Sequence, residues 1–145
     1  MRKVIYIFTL FVLPFFSAKP LIAGSHSSDA SKNQNIGLFS NFTVNGETGD
    51  CGGYELWLFK KDDSLYGQLA VYEGNCTAEK KKIGDVKYNS KTGMLSFKTA
   101  YYTNESLWIF KGILQSNTLS GTFSVVTKAS KEKTFEDRVV LSKAP

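Results

Sequence analysis

The side chains equipped for acid–base or metal chemistry are few in this 145-residue chain, and they are scattered. The single histidine, His26, falls in an unpatterned polar stretch, Gly24–Asn35, so a preformed triad with imidazole as general base is excluded. Two cysteines, Cys51 and Cys76, with one distant histidine make too poor a ligand set for zinc; in an exported chain an even count reads as a disulfide. Among the carboxylates, Asp62-Asp63 belongs to a hairpin tip, and Glu55 and Asp85 fall on outward positions. Glu136-Asp137-Arg138 is different, because this charged triplet interrupts the last apolar run between Phe135 and Val139. Arg138 paired with Asp137 or Glu136 at a barrel mouth would orient a ligand; a solvated strand end is the competing reading. No catalytic residue, metal site or cofactor is assigned.

Aromatic residues make up 14% of the chain and divide into two groups by alternation. Tyr54, Tyr88, Phe97, Tyr101, Trp108, Phe110 and Phe123 share one face. They either fill a core or line an apolar ligand cavity, for which Tyr88, Tyr101, Trp108 and Phe110, with Arg138, are the candidate residues. Trp57, Phe59 and Tyr72 point the other way, beside the cysteines. An outward aromatic cluster of this kind marks a partner surface unless the N-terminal tether or the last strand covers it. Leu107, Ile109 and Ile113 repeat the outward apolar pattern more weakly.

These residues must be placed by strands, since no helical period of useful length follows Asn35. Short β-rich runs separated by Asn, Asp, Gly, Ser and Lys cover Ile36–Val44, Gly53–Lys60, Leu65–Glu73, Ile83–Asn89, Met94–Tyr102, Leu107–Leu114, Leu119–Val126 and Phe135–Ser142. Matching apolar residues across each turn sets Leu58 opposite Leu69, Leu56 opposite Val71 and Cys51 opposite Cys76. It also sets Tyr88 opposite Leu95, Phe97 opposite Gly112, Thr99 opposite Phe110, Tyr101 opposite Trp108, and Phe110 opposite Phe123. The reverse face carries Ser96, Lys98, Lys111, Ser120, Thr122 and Ser124, the alternation of a half-buried antiparallel sheet. Inner-face glycines Gly67, Gly112 and Gly121 permit tight coiling. The expected architecture is therefore an eight-stranded antiparallel up-and-down β-barrel with one disulfide, a two-sheet β-sandwich being the alternative.

The N-terminus predicts the compartment. Met1-Arg2-Lys3 followed by the apolar run Val4–Phe16 has the anatomy of a secretory signal peptide and is too short to span a bilayer. Cleavage is expected after Ala23, with Ala18 as the second choice, leaving a polar tether at 24–35 and one barrel domain at 36–145. No cysteine at the cut supports lipid attachment. The formal charge of +5 falls to +2 without Arg2, Lys3 and Lys19, since 15 cations then face 13 carboxylates. Near-balance of this kind argues against nucleic-acid binding. Asn41, Asn75 and Asn104 head N-X-Ser/Thr acceptors, Asn104 being the best placed if the source glycosylates.

In length, signal peptide, strand count and hairpin order, Ile36 to Ser142 resembles the calycin-like group of exported small barrels, which includes lipocalins and avidins. The resemblance implies a barrel and carries no functional residue, because the lipocalin Gly-X-Trp signature is absent and Gly53-Tyr54-Glu55-Leu56-Trp57 stands in the wrong strand for it. The expected function is that of a secreted or periplasmic, non-enzymatic binding protein, monomeric or weakly dimeric. It would recognise a protein partner, as an inhibitor for instance, or an apolar small ligand. A histidine-independent enzyme using carboxylates or tyrosines and an envelope-associated structural module are the alternatives.

Overall fold

Period-two alternation of apolar and polar residues decides both the strands and the faces they present. The computed structural model describes residues 33–101, 106–127, 129 and 133–145. The expected signal peptide, His26, the rest of the expected tether as far as residue 32, and Asn104 lie outside the described residues. Ten strands form: β1 (Asn33–Ser40), β2 (Thr43–Val44), β3 (Cys51–Lys61), β4 (Ser64–Gly74), β5 (Lys81–Lys82), β6 (Gly84–Tyr88), β7 (Met94–Tyr101), β8 (Ser106–Leu114), β9 (Thr118–Thr127) and β10 (Lys133–Lys143). The first begins three residues earlier than expected. The count exceeds eight because β2 and β5 are two-residue pieces beside longer strands.

All pairings are antiparallel, in the order β5-β4-β3-β1-β10-β9-β8-β7-β6, so the chain meanders and its last long strand returns to the first. The remaining seam is bridged by one segment of chain. Lys81 and Lys82 pair with Leu69 and Gln68 of β4, and two residues later Gly84 pairs with Lys98 of β7. Between them Ile83 turns inward and donates its N–H to the Gly67 carbonyl at 3.1 Å. The buried Thr99 hydroxyl donates to the Lys82 carbonyl at 2.9 Å. The result is a nearly closed all-β barrel, compatible with calycin-like architecture.

Two of the expected registers hold: Tyr88 faces Leu95, and Phe110 faces Phe123. Two are displaced by two residues. Leu58 faces Gly67, Leu56 faces Leu69 and Cys51 faces Gly74, because the hairpin turns on Asp62-Asp63, with Asp62 at φ 54°. Likewise Phe97 faces Phe110, Thr99 faces Trp108, and Tyr101 faces Ser106. The disulfide between Cys51 and Cys76 nevertheless forms, since Cys76 folds back from just beyond the end of β4, giving a Cα separation of 4.9 Å. A disulfide of this kind points to an oxidising environment.

Four phenylalanines (Phe39, Phe97, Phe110, Phe123) and six leucines have essentially no exposed surface and fill the interior. Gly112 and Gly121 pair directly, and the Phe110 ring lies over them; a Cβ on either would sit 2.6 Å from its Cζ. The glycines thus create the space the phenylalanine occupies. Apolar inside and polar outside is the reverse of the pattern in a transmembrane barrel. No helix among the described residues is long and apolar enough to cross a membrane.

Candidate functional site

Of the five residues expected to form one ligand pocket, the four whose side chains are described lie at different heights and on both faces of the barrel wall. Phe110 is fully buried at mid-height, in a stack with Phe97 at 5.1 Å and against Phe123 at 5.0 Å. Trp108 is buried near the disulfide end, within 6.1 Å of Tyr54 and 6.0 Å of the half-exposed Phe135. Tyr88 is half-buried at the opposite rim, with Ile36, Leu65 and Leu114. The side chain of Tyr101 lies outside what the structure describes. Arg138 faces outward and is exposed. Neither expected Arg138 pairing is made, because Glu136 pairs with Lys133 and Asp137 turns inward. Alternation along β10 accounts for this: Asp137 shares the face of the buried Val139 and Leu141, and Arg138 takes the other.

Asp137 is half-buried and reaches Tyr54 from the inner face of β10. Its carboxylate accepts a hydrogen bond from the Tyr54 hydroxyl at 2.9 Å. Tyr54 is stacked on Phe123 at 4.5 Å. Burial, then the hydrogen bond to Asp137, then the negative charges of Asp137 and Glu73 hold the phenol protonated well above the ordinary tyrosine range. A phenol so held is a hydrogen-bond donor and a structural tie; it is unsuited to act as a base. Tyr54 and Asp137 are 83 residues apart, which no local pattern reveals. No group of three or more His, Cys, Asp or Glu among the described residues is placed to hold a metal ion.

The principal grooves, about 320 to 490 Å³, open at the barrel's rims and outer faces. The richest outer surface is that of β3 and β4, which gathers Trp57, Phe59 and Tyr72 as expected and adds two neighbours the sequence reading did not single out. Phe59 is directly opposite Tyr66 in the ladder, and their rings stack at 5.4 Å. Tyr72 packs edge-on against Phe42 at 4.6 Å and donates its hydroxyl to Glu55 at 2.6 Å. Trp57 lies beneath the Lys80 ammonium, 3.9 Å from its ring centroid. Its groove is completed by Leu38 and by the chain end Lys143–Pro145, where Ala144 N donates to Leu38 O. Trp57, Phe59 and Tyr72 are therefore half-buried and held in fixed orientation, while Tyr66 and Phe42 remain 41% and 37% exposed. Tyr66 was legible in principle, being even-numbered within a strand whose odd positions are apolar.

Asn41 is engaged structurally, its side-chain oxygen accepting from Tyr54 N at 2.8 Å. Compared with known proteins, the chain matches no family model, no curated protein and no solved structure.

Proposed function

We propose that this is an exported binding protein that recognises a protein partner through the outer aromatic face of β3 and β4, not a carrier of a small apolar molecule within the barrel. The observation behind this reading is that interior and exterior divide the aromatics sharply. Inside, the rings pack against one another; outside, the pairs Phe42–Tyr72 and Phe59–Tyr66 flank Trp57 on one partly exposed face. Rigid aromatic side chains contribute contact area with little loss of conformational entropy, which is why they dominate protein interfaces. The apolar run at the N-terminus and the disulfide support export to an oxidising compartment, periplasmic or extracellular.

The test is site-specific photo-crosslinking in the native host, with benzoylphenylalanine replacing Tyr66 or, as a control, Ser116 in the β8–β9 turn. A discrete protein adduct at position 66, absent at 116 and lost when Trp57→Ala is added, is the expected result. Adducts of equal intensity at both positions, or none at 66, contradict the reading.

A further inference from the structure

The opposite side of the barrel, β6 to β10, presents a different surface. Cross-strand pairing aligns Lys87, Ser96, Lys111, Thr122 and Arg138 in one outward row over five strands. The three cations are exposed, and none is in an ion pair among the described residues. One step along the strands a second row aligns Met94, Ile113, Ser120 and Val140, whose apolar members are 61%, 47% and 60% exposed. Neither row contains a carboxylate. The nearest ones, Asp85 and Glu136, are neutralised by Lys98 and Lys133.

We propose that this face binds an extended acidic segment of a partner protein, with carboxylates along Lys87, Lys111 and Arg138 and apolar side chains on Met94, Ile113 and Val140. This deepens the protein-binding reading in naming a partner's chemistry, but it uses a separate surface. Geometry selects an extended segment. The row crosses five of the barrel's eight long strand positions and so wraps about half its circumference, which a flat membrane or a rigid globular surface cannot follow. Cations on every second strand stand about 10 Å apart, since strands are spaced at about 4.8 Å. A chain in polyproline II conformation repeats every three residues, about 9.3 Å, so an acidic residue at every third position keeps step with the row. Ser96 and Thr122, between the cations, supply hydroxyl donors to the same carboxylates. The adjoining apolar row favours a peptide over other polyanions, and the absence of aromatic residues from the cationic row leaves no platform for nucleobase stacking.

The probe is a fluorescein-labelled peptide of four Glu-Val-Pro triplets, titrated with the full mature protein and followed by anisotropy, beside heparin and oligo-dT as competing polyanions. Binding should weaken as salt is raised. Lys111→Gln should lower affinity about fivefold, equivalent to about 1 kcal/mol. Lys111→Arg should retain it, and Ile113→Ser should lower it. Lys61→Gln, the same charge loss on β3 across the barrel, should leave it unchanged. Absence of binding at millimolar protein, an equal loss in Lys61→Gln, or tighter binding of heparin or oligo-dT overturns the proposal. Because Lys111 and Tyr66 lie on opposite sides of the barrel, failure here leaves the crosslink at Tyr66 intact, and the reverse also holds.

Discussion

Tyr54 joins three parts of the molecule at once: its backbone N–H is held by Asn41, its ring by Phe123 and its hydroxyl by Asp137. Tyr54→Phe should cost about 1.5 kcal/mol in denaturant unfolding at neutral pH, as expected for a hydrogen bond to a charged group. The pH dependence has a definite sign. The folded phenol's pKa lies above the ordinary 10.0, so its contribution is complete below pH 10 and is lost as pH rises further, when only the unfolded chain ionises freely. Wild-type protein should therefore lose stability above pH 10 more steeply than Tyr54→Phe, read from urea midpoints; parallel profiles contradict the assignment. At Gly112 the constraint is steric, with Phe110 Cζ and the Ser120 carbonyl occupying the place of a Cβ. Gly112→Ala should destabilise by about 1–3 kcal/mol, the range for overpacking, and a neutral result would mean that the ring moves freely.

Among the elements, the β3–β4 hairpin is clasped at its open end by the disulfide, which closes a sequence separation of 25 residues. Replacing both cysteines with serine should cost about 3.5 kcal/mol on the chain-entropy model, measured by chemical unfolding; a loss below about 1 kcal/mol would show that the hairpin needs no clasp. The same hairpin shows what could be read from the sequence. Alternation places Leu56, Leu58, Leu69 and Val71 on the inner face, and they are buried. The observed register nevertheless differs by two residues from the expected one, and a shift of two leaves every side chain on its proper face, so burial alone cannot detect it. Only the turn distinguishes the two registers, and Asp62 adopts a positive φ in it, which a non-glycine residue seldom does. The bulges at Asn35/Gly37, Gly84/Lys87 and Lys133/Phe135 were equally invisible, because each is set by the partner strand. Residues sharing a face need not share a height, and Trp108 and Tyr88 lie at opposite ends of one core. The Lys87–Arg138 row emerges only from the strand pairing.

On the scale of the whole molecule, the barrel packs a phenylalanine- and leucine-rich core and presents two unlike faces, an aromatic one over β3–β4 and a cationic, apolar one over β6–β10. The packing has its own consequence. Phe110→Ala should cost about 3–5 kcal/mol, because its neighbours are too tightly interlocked to collapse into the vacancy. The central claim is that recognition takes place on the outside of a filled barrel. Native mass spectrometry of the protein purified from its own source, before and after unfolding in the instrument, tests it most directly. A polypeptide mass with the disulfide intact and no small molecule released on unfolding is the expected result. A stoichiometric apolar compound that stays with the folded chain and departs when it unfolds would contradict it and return the site to the interior.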